Sequence, residues 1–337
     1  MKAYLLNKTG GPQVLNLSEC PSPTPGPDEV VVRTEHIGLN YAEVQSRKGL
    51  YGWAPKRPYI LGMEASGKVL RTGDQVNDLS EGEDVIVVGQ YGAYAEEVIV
   101  HHSQVLPVVP GYTAQENAAF AVQFMTAWVG LMEICRLRSS DKVLVQAAAG
   151  GVGTAAVMLS KGMGCQVFGT TSSDEKIDKL RELGIDMAIN YTAVDFAQKI
   201  REYTGSGVDV VIEVVGGDVF RRSLDLLEPF GRMAVIGFAS LNLNKLNPFS
   251  WYETWKAIPR VKIDAMAKAS QTVGASHLGY LLKDTDRMMK VWRELVEFVT
   301  AHDIHPIIGH QFGFGEMAAA HQLMESRRSH GKIVVSL

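Results

Sequence analysis

The chain has 337 residues, 46% of them hydrophobic and 21% charged, enough for two domains of ordinary size with a sizeable core. Its formal net charge of -4 supplies no basic field for nucleic acid or an anionic membrane surface, and no apolar run is long enough to predict a membrane span. Three widely spaced cysteines, Cys20, Cys135 and Cys165, make neither a disulfide framework nor a CxxC metal knuckle, so reduced thiols and a cytoplasmic setting are expected.

From Met1 to about Tyr112, short alternating or β-branched runs (EVVVRTEHIGL, EASGKVLRTG, EDVIVVG, YAEEVIVHH) are separated by Pro, Gly and Asp, which predicts a mostly antiparallel β domain. SPTPGPDE reads as a proline-punctuated loop. At Thr113 the period turns helical, with Thr113 and Glu116 in capping-box spacing ahead of AAFAVQFMTAWVGLMEI, and a second domain is expected near here. Strand and helix patterns then alternate: KVLVQAA, TAAVMLSKGM, QVFGTT, DEKIDKLRELG, MAINY, FAQKIREYTG, VDVVIEVVG, VFRRSLDLLEPFG and RMAVIGF. Apolar strands in such an alternation predict a parallel sheet covered by helices on both faces. Beyond Phe238 the pattern predicts a helix through PFSWYETWKAI, a strand around Gln271 to His277 and a helix from about Asp286 to His302. The tail FGFGEMAAAHQLMESRRSHGKIVVSL is βα-like, and the return to the first domain is placed near His277.

The stretch VLVQAAAGGVG, Val143 to Gly153, carries a strand into three glycines and a helix start. Gly150, Gly151 and Gly153 remove side chains where backbone must approach a ligand, and the helix start offers unpaired N–H groups and a positive dipole end, which suits a pyrophosphate. The spacing is AxxGxxG rather than GxGxxG, and tight packing alone also selects glycine. The next strand ends in GTTSSDEK, where the adenosine ribose would be read. Thr170, Thr171, Ser172 and Ser173 offer hydroxyls and Lys176 an ammonium, which suit a 2′-phosphate and so NADP over NAD. Asp174 competes with this reading, because a carboxylate can hold a ribose diol; it also reads as a first-turn residue favoured by the helix dipole. Lys176 alone reads equally well as a solvated helix lysine.

The ordered set GLNYAEVQSRKGLY (38–51), ILGMEASGKV (60–69), QFMTAW (123–128), QAAAGGVGTAAVMLSK (146–161), FGTTSSDEK, AINY (188–191), DVVIEVVGG (209–217), GRMAVIGF (231–238) and GKIVV (331–335) spans essentially the whole chain. Together these segments resemble the zinc-independent quinone oxidoreductases of the medium-chain dehydrogenase/reductase superfamily, and GMEASG with SHLGYL (276–281) is similar to the branch containing the VAT-1 proteins. The resemblance implies an α/β fold: a GroES-like, mostly antiparallel β domain (1–122, with a return at 278–337) and a Rossmann, doubly wound parallel-sheet domain (123–277). Asn40 stands where zinc-dependent relatives have a cysteine, and Met63 stands before Glu64 where they have a histidine. With two donors missing, no metal is expected, and the acceptor must already be electrophilic, as a quinone or an activated C=C bond is.

By the same resemblance NADPH would lie in an interdomain cleft, its pyrophosphate on Ala149, Gly150, Gly151, Val152 and Gly153 and its 2′-phosphate on Thr171, Ser172, Lys176 and Tyr191. Its nicotinamide would sit near Asn40, Thr126, Val214, Gly237 and Phe238, with Lys332 closing the site. Asn40 and Tyr51 are the candidates for orienting a small-molecule acceptor, with Glu43 where the family often has aspartate. Taken alone, Asn40 reads as a turn residue, Tyr51 and Trp53 as packing aromatics, and Glu64 as a surface or loop-bridging carboxylate. His101, His102, His277 and His310 read as structural or exposed. An enoyl or alkenal reductase would use the same cofactor site, and a non-catalytic NADPH-binding interaction protein is the reading of another class. A homodimer is expected, with Gln271 to His277 pairing across a twofold axis.

Overall fold

The computed structural model describes residues 1–237, 258 and 260–337, which divide into two compact units: Met1–Gln123 with Leu278–Leu337, and Phe124–His277. Phe238 and most of PFSWYETWKAI lie outside the described residues.

The first unit holds strands β1 (Lys2–Leu6), β2 (Leu17–Glu19), β3 (Glu29–Gly38), β4 (Tyr59–Ile60), β5 (Glu64–Thr72), β6 (Asp84–Val88), β7 (Glu97–His101) and β8 (Val105–Pro107), with β15 (Ile308–Gly313) and β16 (Lys332–Ser336) after the return. Its larger sheet has the order β15-β16-β3-β5-β6-β8, with β7 also on β3. All of these pairs are antiparallel except β15 with β16. Alternate β-branched residues (Val30 and Val32, Val85 and Val87, Val98 and Val100) build one valine-rich core, while Tyr4, Leu6, Ile37, Leu39, Ile333 and Val335 build another. Gly38 ends β3 in register with both Glu64 of β5 and Val334 of β16, which brings distant parts of the chain to one place.

Helix α1 (Tyr41–Lys48) follows β3 directly. The predicted Thr113–Glu116 capping box is present: Glu116 N donates to Thr113 Oγ1 at 3.2 Å and Thr113 N to Glu116 Oε2 at 2.8 Å. It opens α2 (Ala114–Ala118), and α3 (Ala121–Trp128) then runs into a π-helical stretch, Val129–Ile134.

The second unit is a parallel sheet of β9 (Lys142–Val145), β10 (Gln166–Thr171), β11 (Met187–Asn190), β12 (Val208–Glu213), β13 (Leu227–Val235) and β14 (Thr272–Ala275), in the order β11-β10-β9-β12-β13-β14. Consecutive residues Val143, Leu144 and Val145, like Val210, Val211 and Ile212, are wholly buried, so both faces of the central strands are covered. The connecting helices include α4 (Gly151–Gly162), α5 (Asp174–Glu182), α6 (Phe196–Thr204) and α7 (Gly217–Leu224). One predicted element is shorter than expected. The helix read through VFRRSLDLLEPFG stops at Leu224 and β13 begins at Leu227, because Pro229 lacks a helical donor and Phe230 takes a left-handed φ of 65°. Among the described residues, no helix is long and apolar enough to cross a membrane.

Candidate active site

In the second unit the strand order reverses between β9 and β12, and the carboxyl ends of these two strands frame the glycine turn. The turn passes through Ala147, whose φ of 50° is uncommon for a residue with a side chain. A buried relay holds it there. Gln146 donates from Nε2 to Ser223 Oγ at 2.8 Å and accepts the Thr170 hydroxyl at 2.5 Å, while Thr170 Oγ1 accepts Ala147 N at 3.3 Å.

Two of the glycines sit in different surroundings. A Cβ on Gly153 would lie 2.3 Å from Ala147 O and 2.7 Å from Ala148 Cα, so close helix-to-turn packing explains it. Gly150 has φ -80°, and a Cβ there would meet only Ala147 O at 3.4 Å, an ordinary contact. Among the described residues no contact demands a glycine at Gly150, which leaves a cradle that a side chain would fill. The N-terminus of α4 beside it has no capping side chain and no acidic residue in its first turn. By contrast α5 begins with Asp174, α7 has Asp218 in its first turn and α6 is capped by Asp195. The positive end of α4 is thus the one among these helices not answered by a carboxylate.

At the end of β10, Thr171 is buried and Ser172 and Lys176 are half-buried; burial lowers the Lys176 ammonium below its usual range. Asp174 is exposed and its Oδ1 accepts Asn190 Nδ2 at 2.8 Å, so one oxygen of the competing carboxylate is engaged by the neighbouring strand. Tyr191 donates its N–H to Thr171 O at 3.0 Å and the residue is 41% exposed. Val214 and Gly237 meet at the ends of β12 and β13, where a Cβ on Gly237 would lie 3.3 Å from Val214 O. Ala149 is buried, Val152 and Gly151 are half-buried in the first turn of α4, and Thr126 is half-buried on α3.

The first unit gathers Asn40, Glu43, Glu64 and Lys332 into one buried network. Lys332 Nζ donates to Glu64 Oε1 and, at 2.7 Å, to Asn40 Oδ1. Asn40 Nδ2 donates to Glu64 Oε1 at 3.0 Å and to Gly38 O at 3.3 Å, and Val122 N donates to Glu64 Oε2 at 2.9 Å. Gly38 is glycine because a Cβ would lie 2.1 Å from Ala118 O and 2.9 Å from Lys332 Cε. Glu64 is therefore not the surface or loop-bridging carboxylate its sequence position suggested: it is fully buried, and the ammonium of Lys332 makes that tolerable. Glu43, third residue of α1, reaches back to Asn40 N at 2.8 Å and also accepts Met63 N at 2.8 Å and the Tyr94 hydroxyl at 2.5 Å. Burial lifts its carboxyl to about 7 against these hydrogen bonds and the Lys332 charge. Tyr51 donates to Gln90 Oε1 at 3.0 Å, and burial together with the Glu43 charge pushes its phenol up to about 12.

Behind Glu43 lie buried residues outside the site expected from sequence. Tyr94 OH is 2.9 Å from His321 Nε2, and burial, aided by the Arg47 charge, lowers His321 to about 3. Since Tyr94 donates to Glu43, His321 donates from Nε2. Arg47, also fully buried, pairs with Glu325 and donates to Gly10 O at 2.8 Å. The spacing of His321 from Met317 and Ala320 on one helix was the available signal.

An "Alcohol dehydrogenase GroES-like domain" family matches residues 26–110 and a "Zinc-binding dehydrogenase" family matches residues 151–277. The chain is 32% identical to the synaptic vesicle membrane protein VAT-1 homolog of Rattus norvegicus, over 99% of this chain and 84% of that one. It belongs to the zinc-independent quinone oxidoreductase family of the medium-chain dehydrogenase/reductase superfamily, in the VAT-1-like branch. The chain is 31% identical to a 2-haloacrylate reductase of Burkholderia sp. over 99% of this chain and 98% of that one. It also superposes on the quinone oxidoreductase of Escherichia coli, solved with NADPH, with a TM-score of 0.87, 26% identity and all of both chains covered.

The zinc in the second family's description does not suit this member's donors. Asn40 and Glu64 are both committed to Lys332, Met63 offers only a thioether, and a buried ammonium in their midst repels a divalent cation. Among the described residues no cluster of three or more His, Cys, Asp or Glu is placed to hold a metal.

Proposed function

We propose that the chain is an NADPH-dependent, zinc-independent reductase that passes a hydride to an acceptor already electrophilic, a quinone or an activated C=C bond. The observation that carries this reading is the Gly150 cradle at the bare N-terminus of α4, with hydroxyls and Lys176 at the end of the next strand. These residues suit the dinucleotide: N–H groups of the first turn of α4 would receive a pyrophosphate, and Thr171, Ser172, Lys176 and Tyr191 would hold the 2′-phosphate. When bound, NADPH supplies the hydride.

On the acceptor side, Tyr51 keeps its proton at all ordinary pH values but donates it to Gln90 Oε1, so it serves an acceptor as a hydrogen-bond donor only by exchanging Gln90 for it. Lys332 and Glu43 fix Asn40 from both sides, at its Oδ1 and its backbone N–H, and so set the geometry of the loop that leads into α1. The full-length likeness to a 2-haloacrylate reductase favours conjugated C=C acceptors alongside quinones. The likeness to VAT-1 homologues favours a second reading, a protein that binds NADPH without consuming it, and here the Asn40 amide, occupied within the protein, is consistent. A homodimer pairing through β14, at the sheet edge among the described residues, and a reducing cytoplasmic setting complete the proposal.

Calorimetric titration with NADPH and NADH tests the cofactor. NADPH is expected to bind more tightly, and Lys176→Ala to weaken NADPH by about 1–3 kcal/mol while leaving NADH nearly unchanged. Preference for NADH would refute it. Parallel assays with 1,2- and 1,4-quinones, a 2-alkenal and an enoyl thioester decide the acceptor: turnover of the thioester alone refutes the quinone arm, and bound but unconsumed NADPH with every acceptor establishes the non-catalytic reading.

A further inference from the structure

Glu213 ends β12 and has no part in the scheme above. Its side chain is fully buried. Oε1 accepts the backbone N–H groups of Val215 at 2.5 Å and Gly216 at 2.7 Å, while Oε2 has no hydrogen-bond partner among the described residues. Among the described residues, charged groups on the elements packed against β12 do not offset it. The π-helical stretch, where Gly130 lies beside Ile212, carries another carboxylate, Glu133. On β9, Lys142 lies at the opposite end and bonds Ser206. On β13, Glu228 is near the opposite end and Arg232 pairs with Asp141. On α7, Asp218 pairs with Arg221, and Arg222 with Asp195. Burial raises the carboxyl to about 7, opposed only by its two backbone donors.

Its position gives this lone carboxyl a consequence. Gln146, the first residue after β9, donates its N–H to Ile212 O at 3.0 Å, so Glu213 sits at the same strand edge from which the turn to α4 departs. An anion seated on α4 and a negative Glu213 raise each other's energy in surroundings that hold little water.

We infer that Glu213 takes up a proton from solvent when a phosphate-bearing dinucleotide binds at this turn, so that cofactor binding and protonation form one linked equilibrium. The proton adds to a carboxylate oxygen and gives the neutral acid, while Oε1 keeps its two N–H donors. The inference rests on the dinucleotide reading of the glycine turn and predicts that affinity falls as pH rises above about 7.

Isothermal titration of the protein with NADPH, in pairs of buffers with different ionisation enthalpies, counts the protons directly. Near pH 8, where the 2′-phosphate is already dianionic, most of one proton is expected to be taken up; near pH 6 the Glu213 share falls to almost none, any remaining exchange belonging to the phosphate, and Kd is expected to weaken about five- to tenfold between them. Glu213→Gln should abolish the uptake and flatten the pH dependence. NADPH binding without proton uptake by the unaltered protein overturns the inference, and this holds even if Glu213→Gln fails to fold. Uptake that persists in Glu213→Gln overturns it too, and points to Lys176. Failure to bind NADPH at either pH removes the dinucleotide reading itself, and the inference with it.

Discussion

Replacing Lys332 with methionine removes one charge from a buried pair and leaves the stem of the side chain in place. The ammonium donates to Glu64 and, at 2.7 Å, to Asn40 Oδ1; without it the fully buried Glu64 keeps only neutral donors, Asn40 Nδ2 at 3.0 Å and Val122 N at 2.9 Å. Stranding one member of such a pair costs about 3–5 kcal/mol, far above the ~1 kcal/mol ceiling for exposed pairs. The Glu64→Gln/Lys332→Met double variant strands no charge and should recover about 2–3 kcal/mol of the loss seen in Lys332→Met. Equilibrium urea unfolding of both single variants, the double variant and the parent closes the cycle. If the single losses simply add in the double variant, or Lys332→Met costs less than about 1 kcal/mol, the network is not coupled as described.

Gly153→Ala and Gly150→Ala should separate packing from binding. The first puts a Cβ 2.3 Å from Ala147 O and should destabilise by about 1–3 kcal/mol, whereas the second, 3.4 Å from the same atom, should leave thermal stability nearly unchanged yet weaken NADPH in calorimetry; equal losses of stability would refute the distinction. His321, held at about 3 against an unfolded value near 6.5, contributes stability that is complete above about 6.5 and declines as pH falls toward about 3. Glu43, raised to about 7, contributes in the opposite sense, fully below about 4.5 and declining as pH rises through about 7. His321→Gln should therefore remove up to about 1.4 kcal/mol per pH unit from the slope of stability between pH 6 and 4, and an unchanged slope would overturn the assignment. Burial pushes Cys135 to about 12 and Cys165 to about 11, so iodoacetamide should label Cys20 alone in the native protein, as intact-mass measurement would show.

The second unit was readable because its signals are local. Apolar runs such as VLV and VVI, each followed by a turn and a helical period, correspond to β9 and β12, and the glycine turn falls where AxxGxxG put it. What was hidden depends on contacts between residues far apart in sequence. A carboxylate in GMEAS has the same local pattern whether it faces water or an ammonium, and only the register at Gly38 decides that Glu64 meets Lys332. Glu213 was absorbed into an apolar strand for the same reason, since its burial and its unanswered oxygen are properties of the folded sheet. Pro229 was visible, but its effect, the early end of α7, was obscured by the helical spacing of the residues before it.

The meeting of Glu64 and Lys332 also bears on the order of assembly. Their separation of 268 positions means that, on the ribosome, the carboxylate emerges long before its counter-charge exists. Until β16 docks beside β3, the nascent first unit must either keep that corner of its sheet open to water or burden its core with a lone anion. The interposed second unit carries its own sheet and core and has no such wait, so it is free to consolidate first.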